Sequence, residues 1–196
     1  MSERAVRPRA SSVEFRAPRA RDRDGDDVID HSPASTLRVR RGTAADAAVL
    51  ARHRADMFRD IGRLDAATYA PLLLASTEYF ARAIPTGEYV AWIATTGDAT
   101  ETPVAGAGVQ VRTLLPRPNE TGTAVLPGPE GIVLNVYTDP TWRRLGVAEL
   151  LMGHVLEWSR ARGLGRLVLH ASHDGRPLYE KLGFVATNEM RYTGIL

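Results

Sequence analysis

Cysteine is absent from the 196 residues. That excludes disulfides, a thiol nucleophile and any cysteine-ligated metal. Lysine is nearly absent. Lys181, in Glu180-Lys181-Leu182, is the only one, so the Gly-Lys-(Ser/Thr) end of a P-loop is missing and an ATPase of that type is excluded. No apolar run approaches the roughly 20 residues that a membrane span needs. The charged N-terminus lacks the apolar core of a secretory signal, so the expectation is a cytoplasmic protein with no membrane partner. A charge of one sign is also lacking: 25 Lys+Arg face 23 Asp+Glu, a formal net charge of +2. With no concentrated basic patch beyond the N-terminal tail, nucleic acid is not the expected partner.

What is present suits a globular α/β domain. Hydrophobic residues make up 44% and charged residues 24%, and the length allows one domain plus a tail. Residues 1–36 read as a disordered leader, with seven arginines matched by seven acids and one aromatic, Phe15. Such a segment buries too little apolar surface to offset its ordering entropy. It is a solvated extension or a mis-assigned start rather than a partner-binding arm. Residues 37–196 read as the folded domain.

Leu37 to Arg40 alternates like a strand. Thr43 caps an expected helix from Ala44 to Arg59, which Gly62 ends, and a second helix runs from about Ala66 to Ala83. Tyr89 to Ala94 and Val104 to Leu114 form a hairpin around Gly97-Asp98. A Pro/Gly-rich loop, Pro116 to Gly128, is long enough for a functional loop or a mobile connector. Ile132 to Thr138 is the next strand. Val147, Leu151, Val155 and Trp158 share one face of a helix running to Arg162, and Gly163 ends it. A strand from Arg166 to His170, a short helix from Arg176 to Leu182 and final strands from Phe184 complete the order β-α-α-β-β-β-α-β-α-β. That order implies a partly antiparallel sheet with flanking helices.

The most informative stretch is Val133 to Ala148. An apolar strand runs into a turn at Pro140, and the loop Arg143-Arg144-Leu145-Gly146 opens directly into the amphipathic helix. Free backbone N–H groups, a helix N-terminus and two arginines meet there, which suits a pyrophosphate. Gly146 permits close approach of the main chain, and Ala148 is small for a similar reason. An ordinary loop with a solvated arginine pair would use the same residues, but the strand before it and the helix after it favour the anion site. The spacing Arg143-x-x-Gly146-x-Ala148 resembles the (Gln/Arg)-x-x-Gly-x-(Gly/Ala) signature of the GCN5-related N-acetyltransferases (GNAT). Leu178-Tyr179-Glu180-Lys181-Leu182-Gly183-Phe184 resembles that family's second recurring motif, (Leu/Phe)-Tyr-x-x-x-Gly-Phe.

The resemblance covers residues 37–196 and implies the GNAT fold, a mixed, mostly antiparallel central sheet with flanking helices. It also implies acetyl-coenzyme A as co-substrate, its pyrophosphate on Arg143, Arg144, Leu145, Gly146, Val147 and Ala148. Val136, Tyr137 and Thr138 fall on the strand that offers main-chain groups to the pantetheine arm, with Val136 near the thioester. Ser172 falls where members place a residue that hydrogen-bonds the pantetheine amides; it reads equally as a turn serine. Tyr179 matches the tyrosine that protonates the departing thiolate in many members, and in others it only packs. Leu145 and Val147 are bulky for the signature, and the loop has one glycine where many members have two or three, which implies weaker cofactor affinity.

The expected function is N-acetyltransfer to a primary amine of a small molecule or peptide, by direct transfer in a ternary complex. The lack of cysteine and of a Gly-x-Ser-x-Gly elbow agrees with direct transfer. A non-catalytic acyl-coenzyme A sensor on the same fold is the alternative. His170, Glu130 and Asp56 remain open as the base, and the Asn135 amide is able to orient an acceptor. Arg52 to Arg59 is a candidate wall of the acceptor site, its arginines either a solvated face or a preference for an acidic acceptor. Members often dimerise through late strands, which makes Arg191 to Leu196 an expected homodimer interface. No metal site is expected, since His170-x-x-His173 has no third ligand nearby. Gly106-Ala107-Gly108 is followed by Val111 where a dinucleotide fingerprint needs glycine.

Overall fold

The computed structural model describes residues 37–119, 121–126, 128–187, 189–190 and 192–193. The leader 1–36 lies outside them, as do four of the six residues of the expected interface. The elements are β1 Leu37–Arg41, α1 Ala47–Asp60, α2 Ala66–Thr86, β2 Tyr89–Thr96, β3 Pro103–Thr113, β4 Arg117–Pro118, β5 Val125–Leu126, β6 Pro129–Thr138, α3 Val147–Arg162, β7 Arg166–Leu169 and α4 Arg176–Lys181. Five strands form one sheet in the order β1-β2-β3-β6-β7, and β4 pairs with β5 separately. Every pairing is antiparallel except β6 with β7, which is parallel.

The alternation of side chains along β2 builds two cores. Tyr89, Ala91 and Ile93 face α1 and α2, where Leu50, Ala51, Phe80 and Ala83 close over them. Val90, Trp92 and Ala94 face α3 and meet Val147, Leu151, Met152 and Val155. A strand covered on both faces needs an unbroken apolar run, and Tyr89-Val90-Ala91-Trp92-Ile93-Ala94 supplies it. β3 contributes little bulk, and the space is used. A Cβ at Gly108 would sit 2.1 Å from the Tyr89 hydroxyl, and one at Gly106 would sit 2.9 Å from His53 Nδ1. Those two glycines admit the large buried groups opposite them.

The helix starts are set by side chains. Asp46 accepts from the Thr43 N–H at 2.8 Å and the Thr43 hydroxyl at 2.9 Å, and it pairs with Arg40 at 2.7 Å. The Arg40 guanidinium holds the Asp46 carboxyl down at about 2. The expected start at Ala44 is a 3-10 turn, Ala44–Asp46, from which α1 continues. Asp65 caps α2 by accepting from the Thr68 N–H at 2.8 Å.

The structure departs from the sequence expectations in three further places. α2 continues through Pro85 to Thr86, because a proline in a last turn forfeits only one hydrogen bond, and Gly87 closes it at φ 75°. The 116–128 loop contains the β4–β5 hairpin, with the Asn119 side chain accepting from the Thr123 N–H at 2.8 Å. Among the described residues no strand follows α4. Phe184, expected to start one, instead closes the helix: its N–H donates to the Tyr179 carbonyl at 2.9 Å, past Gly183 at φ 90°.

Candidate active site

The site grows from β6. β7 pairs only with Glu130 to Val133, while β3 follows β6 as far as Thr138. The sheet therefore splits. From Leu134 to Thr138 β6 has no neighbour on its β7 side among the described residues, an open edge of about 16 Å at the usual rise per residue. A bulge lies in this segment. Gly106 pairs with Tyr137 and Gly108 with Leu134, so Ala107 alone faces both Asn135 and Val136. Asn135 absorbs the extra residue at φ 56°, a left-handed conformation that asparagine tolerates better than most residues. The bulge sends Leu134 and Asn135 together into one cavity beside α2. Val136 packs on the α3 core, and Tyr137 packs against His53, with ring centroids 5.3 Å apart.

The chain then leaves the sheet through a 3-10 turn, Pro140–Trp142, and enters α3 at Gly146. Arg144 has φ 61° and Gly146 φ 80°. Such left-handed residues in a tight turn aim successive N–H groups to one side. No side chain caps α3, and its first closed bond is Leu150 N–H to the Gly146 carbonyl at 3.0 Å. The N–H groups of Val147, Ala148 and Glu149 are left without helical acceptors. A Cβ at Gly146 would meet nothing within 4 Å, so the loop has free space at that position.

The two arginines of the loop differ. Arg143 turns back: its Nε donates to the Thr138 carbonyl at 2.9 Å, its guanidinium pairs with Asp60, and it lies 5.6 Å over the Tyr137 ring. It fastens the loop to β6 and α1. Arg144 is exposed and has no ion pair among the described residues. Leu145 is half-buried against the α3 core and Val147 is buried. The Thr138 hydroxyl is enclosed with no partner among the described residues.

α4 supplies the opposite bank. Tyr179 is half-buried on the same core as Val136, Leu145 and Leu169. Its ring meets Phe184 edge-on at 6.0 Å, and burial raises its pKa, which keeps the phenol protonated. Ser172 is exposed and accepts from the Gly175 N–H at 3.1 Å, the turn arrangement, with its own hydroxyl proton still available.

The candidate bases separate clearly. Glu130 is wholly buried at the start of β6 between Arg112 and Arg166, and six residues of strand, about 20 Å, part it from Val136. It ties β3, β6 and β7 together and stands far from the open edge. Asp56 accepts from the Tyr69 hydroxyl at 2.8 Å and pairs with Arg59 at 2.8 Å. His170 is exposed, 3.5 Å from Glu189. His53, which the sequence reading passed over, is fully buried beside Tyr137; burial, then Arg52, holds its pKa down to about 4. The cavity of about 330 Å³ between α2 and the sheet was also missed. Its polar lining is Arg54, Ser76, Tyr79, Tyr89, Gln110 and Asn135. The signals in the sequence were Asn135, a polar residue inside an apolar strand, and Arg54, within the Arg52 to Arg59 stretch expected to wall the acceptor site.

The acetyltransferase (GNAT) family profile matches residues 52–184, which span both banks of the split and the α3 loop. The chain belongs to this family. It is 30% identical to the GCN5-related N-acetyltransferase of Ralstonia eutropha JMP134, with a TM-score of 0.69 over 80% of this chain and 97% of that one. A predicted acetyltransferase of Clostridium acetobutylicum, solved with acetyl-CoA, is 26% identical at a TM-score of 0.66, over 81% and 96% of the two chains. A 56-residue stretch, 29% of this chain, is 38% identical to the glucosamine 6-phosphate N-acetyltransferase of Trypanosoma brucei brucei and spans 38% of that protein's length. No helix among the described residues is long and apolar enough to cross a membrane.

Proposed function

We propose that this chain moves an acetyl group from acetyl-CoA to a primary amine of a small molecule or peptide, with both substrates bound at once, and that residues 37–196 form the transferase domain beside a separate leader. The observation that carries this reading is the coincidence of the open edge of β6 with the uncapped start of α3. The first offers main-chain partners to an extended amide-bearing arm. The second offers N–H donors and a helix dipole to the pyrophosphate at the end of that arm. The enclosed Thr138 hydroxyl and the free space at Gly146 fit the same ligand.

The reaction joins the amine nitrogen to the thioester carbonyl carbon. The oxyanion that develops takes a hydrogen bond from a main-chain N–H near Val136. The carbon–sulfur bond then breaks, and the sulfur receives the Tyr179 phenol proton while the amine nitrogen sheds its own to a base or water. The raised pKa of Tyr179 suits an acid that must arrive protonated. Arg143 fixes the loop through Thr138 and Asp60, and Arg144 adds charge beside the pyrophosphate.

Titration calorimetry tests the reading. Acetyl-CoA is expected to bind at micromolar Kd and to lose binding in Gly146→Glu, which sets a carboxylate before the α3 N–H groups. Amines should then release free thiol in the wild type. Binding without thiol release from any amine favours a sensor, and no binding by folded wild type rejects the reading.

A further inference from the structure

Arg54 stands apart from the other arginines of α1. Arg52 lies 3.7 Å from Asp56 and 3.6 Å from Asp139, and Arg59 pairs with Asp56 and Asp60. Arg54 points the other way, into the cavity beside α2, and has no carboxylate within 4.0 Å among the described residues. It gives one hydrogen bond, Nη1 to Asn135 Oδ1 at 2.7 Å, and lies 4.9 Å over the Phe58 ring. A guanidinium carries five N–H donors and stays charged. Half-buried and unpaired, it leaves most of that capacity unused.

The rest of the cavity agrees. No acid lines it. The Asn135 amide nitrogen and the Tyr89 hydroxyl lie close to each other, enclosed, and neither makes a well-formed hydrogen bond among the described residues; their side chains are only 4% and 1% exposed, and both belong to the lining. Native proteins rarely leave such groups unsatisfied without a ligand or water to meet them. Gln110 Nε2 donates to the Tyr79 hydroxyl at 2.9 Å, and that hydroxyl donates to Glu88 at 3.1 Å, so this wall is held in place. Leu72, Phe80 and Leu134 supply the apolar part. A volume of about 330 Å³ lies at the low end for small-molecule sites, too small for a folded partner. Leu134 and Asn135 begin the open edge of β6 and are followed directly by Val136, which the acetyl-transfer reading puts near the thioester.

We propose that this cavity is the acceptor pocket and that Arg54 makes it a pocket for a small amine carrying an anionic group, a carboxylate or a phosphate. The inference rests on the acetyl-transfer reading. The anion pairs with Arg54 and displaces no internal partner. The Asn135 amide and Tyr89 hydroxyl meet the polar body of the acceptor, and its amine is left to reach past the bulge toward Val136.

The test separates this inference from the reading beneath it. Titration of inorganic phosphate and of succinate is made in the Gly146→Glu background, which removes the competing anion site at α3. Saturable binding is expected there. It should fall at least tenfold on adding Arg54→Gln, and equally on adding Leu72→Glu, which leaves Arg54 in place and supplies it with a carboxylate. Unchanged anion binding in both double variants overturns the inference, whatever acetyl-CoA does. In the otherwise wild-type protein, thiol release is compared for an amino acid against its amide and for an amino-sugar phosphate against the free amino sugar. The anionic member of one pair should have a KM about 10–100-fold lower, the size of a charge-assisted contact, and Arg54→Gln should erase that difference while acetyl-CoA affinity holds. The pair that shows the difference tells carboxylate from phosphate. Equal KM values within both pairs also overturn the inference, though the acetyltransferase reading then stands.

Discussion

At the residue scale, Tyr179 and Gly146 are the positions where a single atom decides. Tyr179 has burial without a hydrogen-bond partner among the described residues, which raises its pKa and leaves its proton uncommitted. Tyr179→Phe keeps the packing on Phe184 and removes only the hydroxyl. Under acetyl-CoA saturation we expect kcat to fall about 100-fold with the acetyl-CoA Kd unchanged, the range for loss of a general acid. Equal kcat in the two proteins would reduce Tyr179 to a packing residue. Gly146 acts through conformation, because φ 80° costs any other residue about 1–2 kcal/mol. Gly146→Ala should therefore weaken acetyl-CoA binding several-fold and lower Tm by a few degrees, read by calorimetry and thermal melting.

At the element scale, β6 is one strand with two occupations. Its first half, Glu130 to Val133, is a central strand sealed by β7, and Glu130 is the pin. Two arginines from the strands on either side converge on this fully buried carboxylate. Glu130→Gln removes the charge between two half-exposed guanidinium groups that water still reaches, a change expected to cost about 1–3 kcal/mol and several degrees in Tm. Below the lowered transition, acetyl-CoA binding should be retained, since the pin lies about 20 Å from Val136. Loss of binding in a folded variant would show that the pin also shapes the open half.

Much of this division was legible in the sequence, and the reasons for the rest are physical. Periodicity and breakers located α3 to the residue, because an apolar face repeats from Val147 to Trp158 and Gly163 stops it. The loop that opens α3 was legible because Gly146, after a turn marked by Pro140, announces a helix start. Glu130 was not: a carboxylate in a strand looks the same whether two arginines from distant strands bury it or it meets substrate. Arg54 and Asn135 were both noticed, yet 81 residues separate them and no local pattern states that they bond. The bulge was hidden too, since it arises from the register of β3 against β6. The end of α2 was misjudged because Pro85 reads as a stop when it needs only to forgo one bond in a final turn.

At the scale of the whole molecule, two layers of helix enclose a split sheet, and the α1 layer carries a group that answers to pH. His53 is fully buried and titrates near 4 rather than at its ordinary 6.5, held down by burial and then by Arg52. Well above pH 6.5 the ring is neutral in folded and unfolded chains alike, and it contributes no pH dependence. As pH falls from 6.5 toward 4 the unfolded chain takes up a proton that the folded one refuses, so stability is lost across that window, by about 3 kcal/mol when complete. Asp46, held at about 2, gives up its contribution only below pH 4. Thermal melts at pH 7, 6 and 5 should show a progressive fall in Tm that His53→Asn flattens. A wild-type Tm constant from pH 7 to 5 would contradict this burial.

An unpaired strand edge is also the surface on which chains aggregate, because any extended segment from another molecule finds its N–H and C=O groups waiting. The open half of β6 carries that hazard inside the split of the sheet. Its own geometry limits it. Five residues make a short template; the bulge at Asn135 breaks the even spacing of donors and acceptors, and Pro140 ends the run just beyond. A regular strand cannot follow that edge for long, whereas a flexible chain with amides at irregular intervals can. The distortion that shapes the cleft therefore also acts as its filter against self-association.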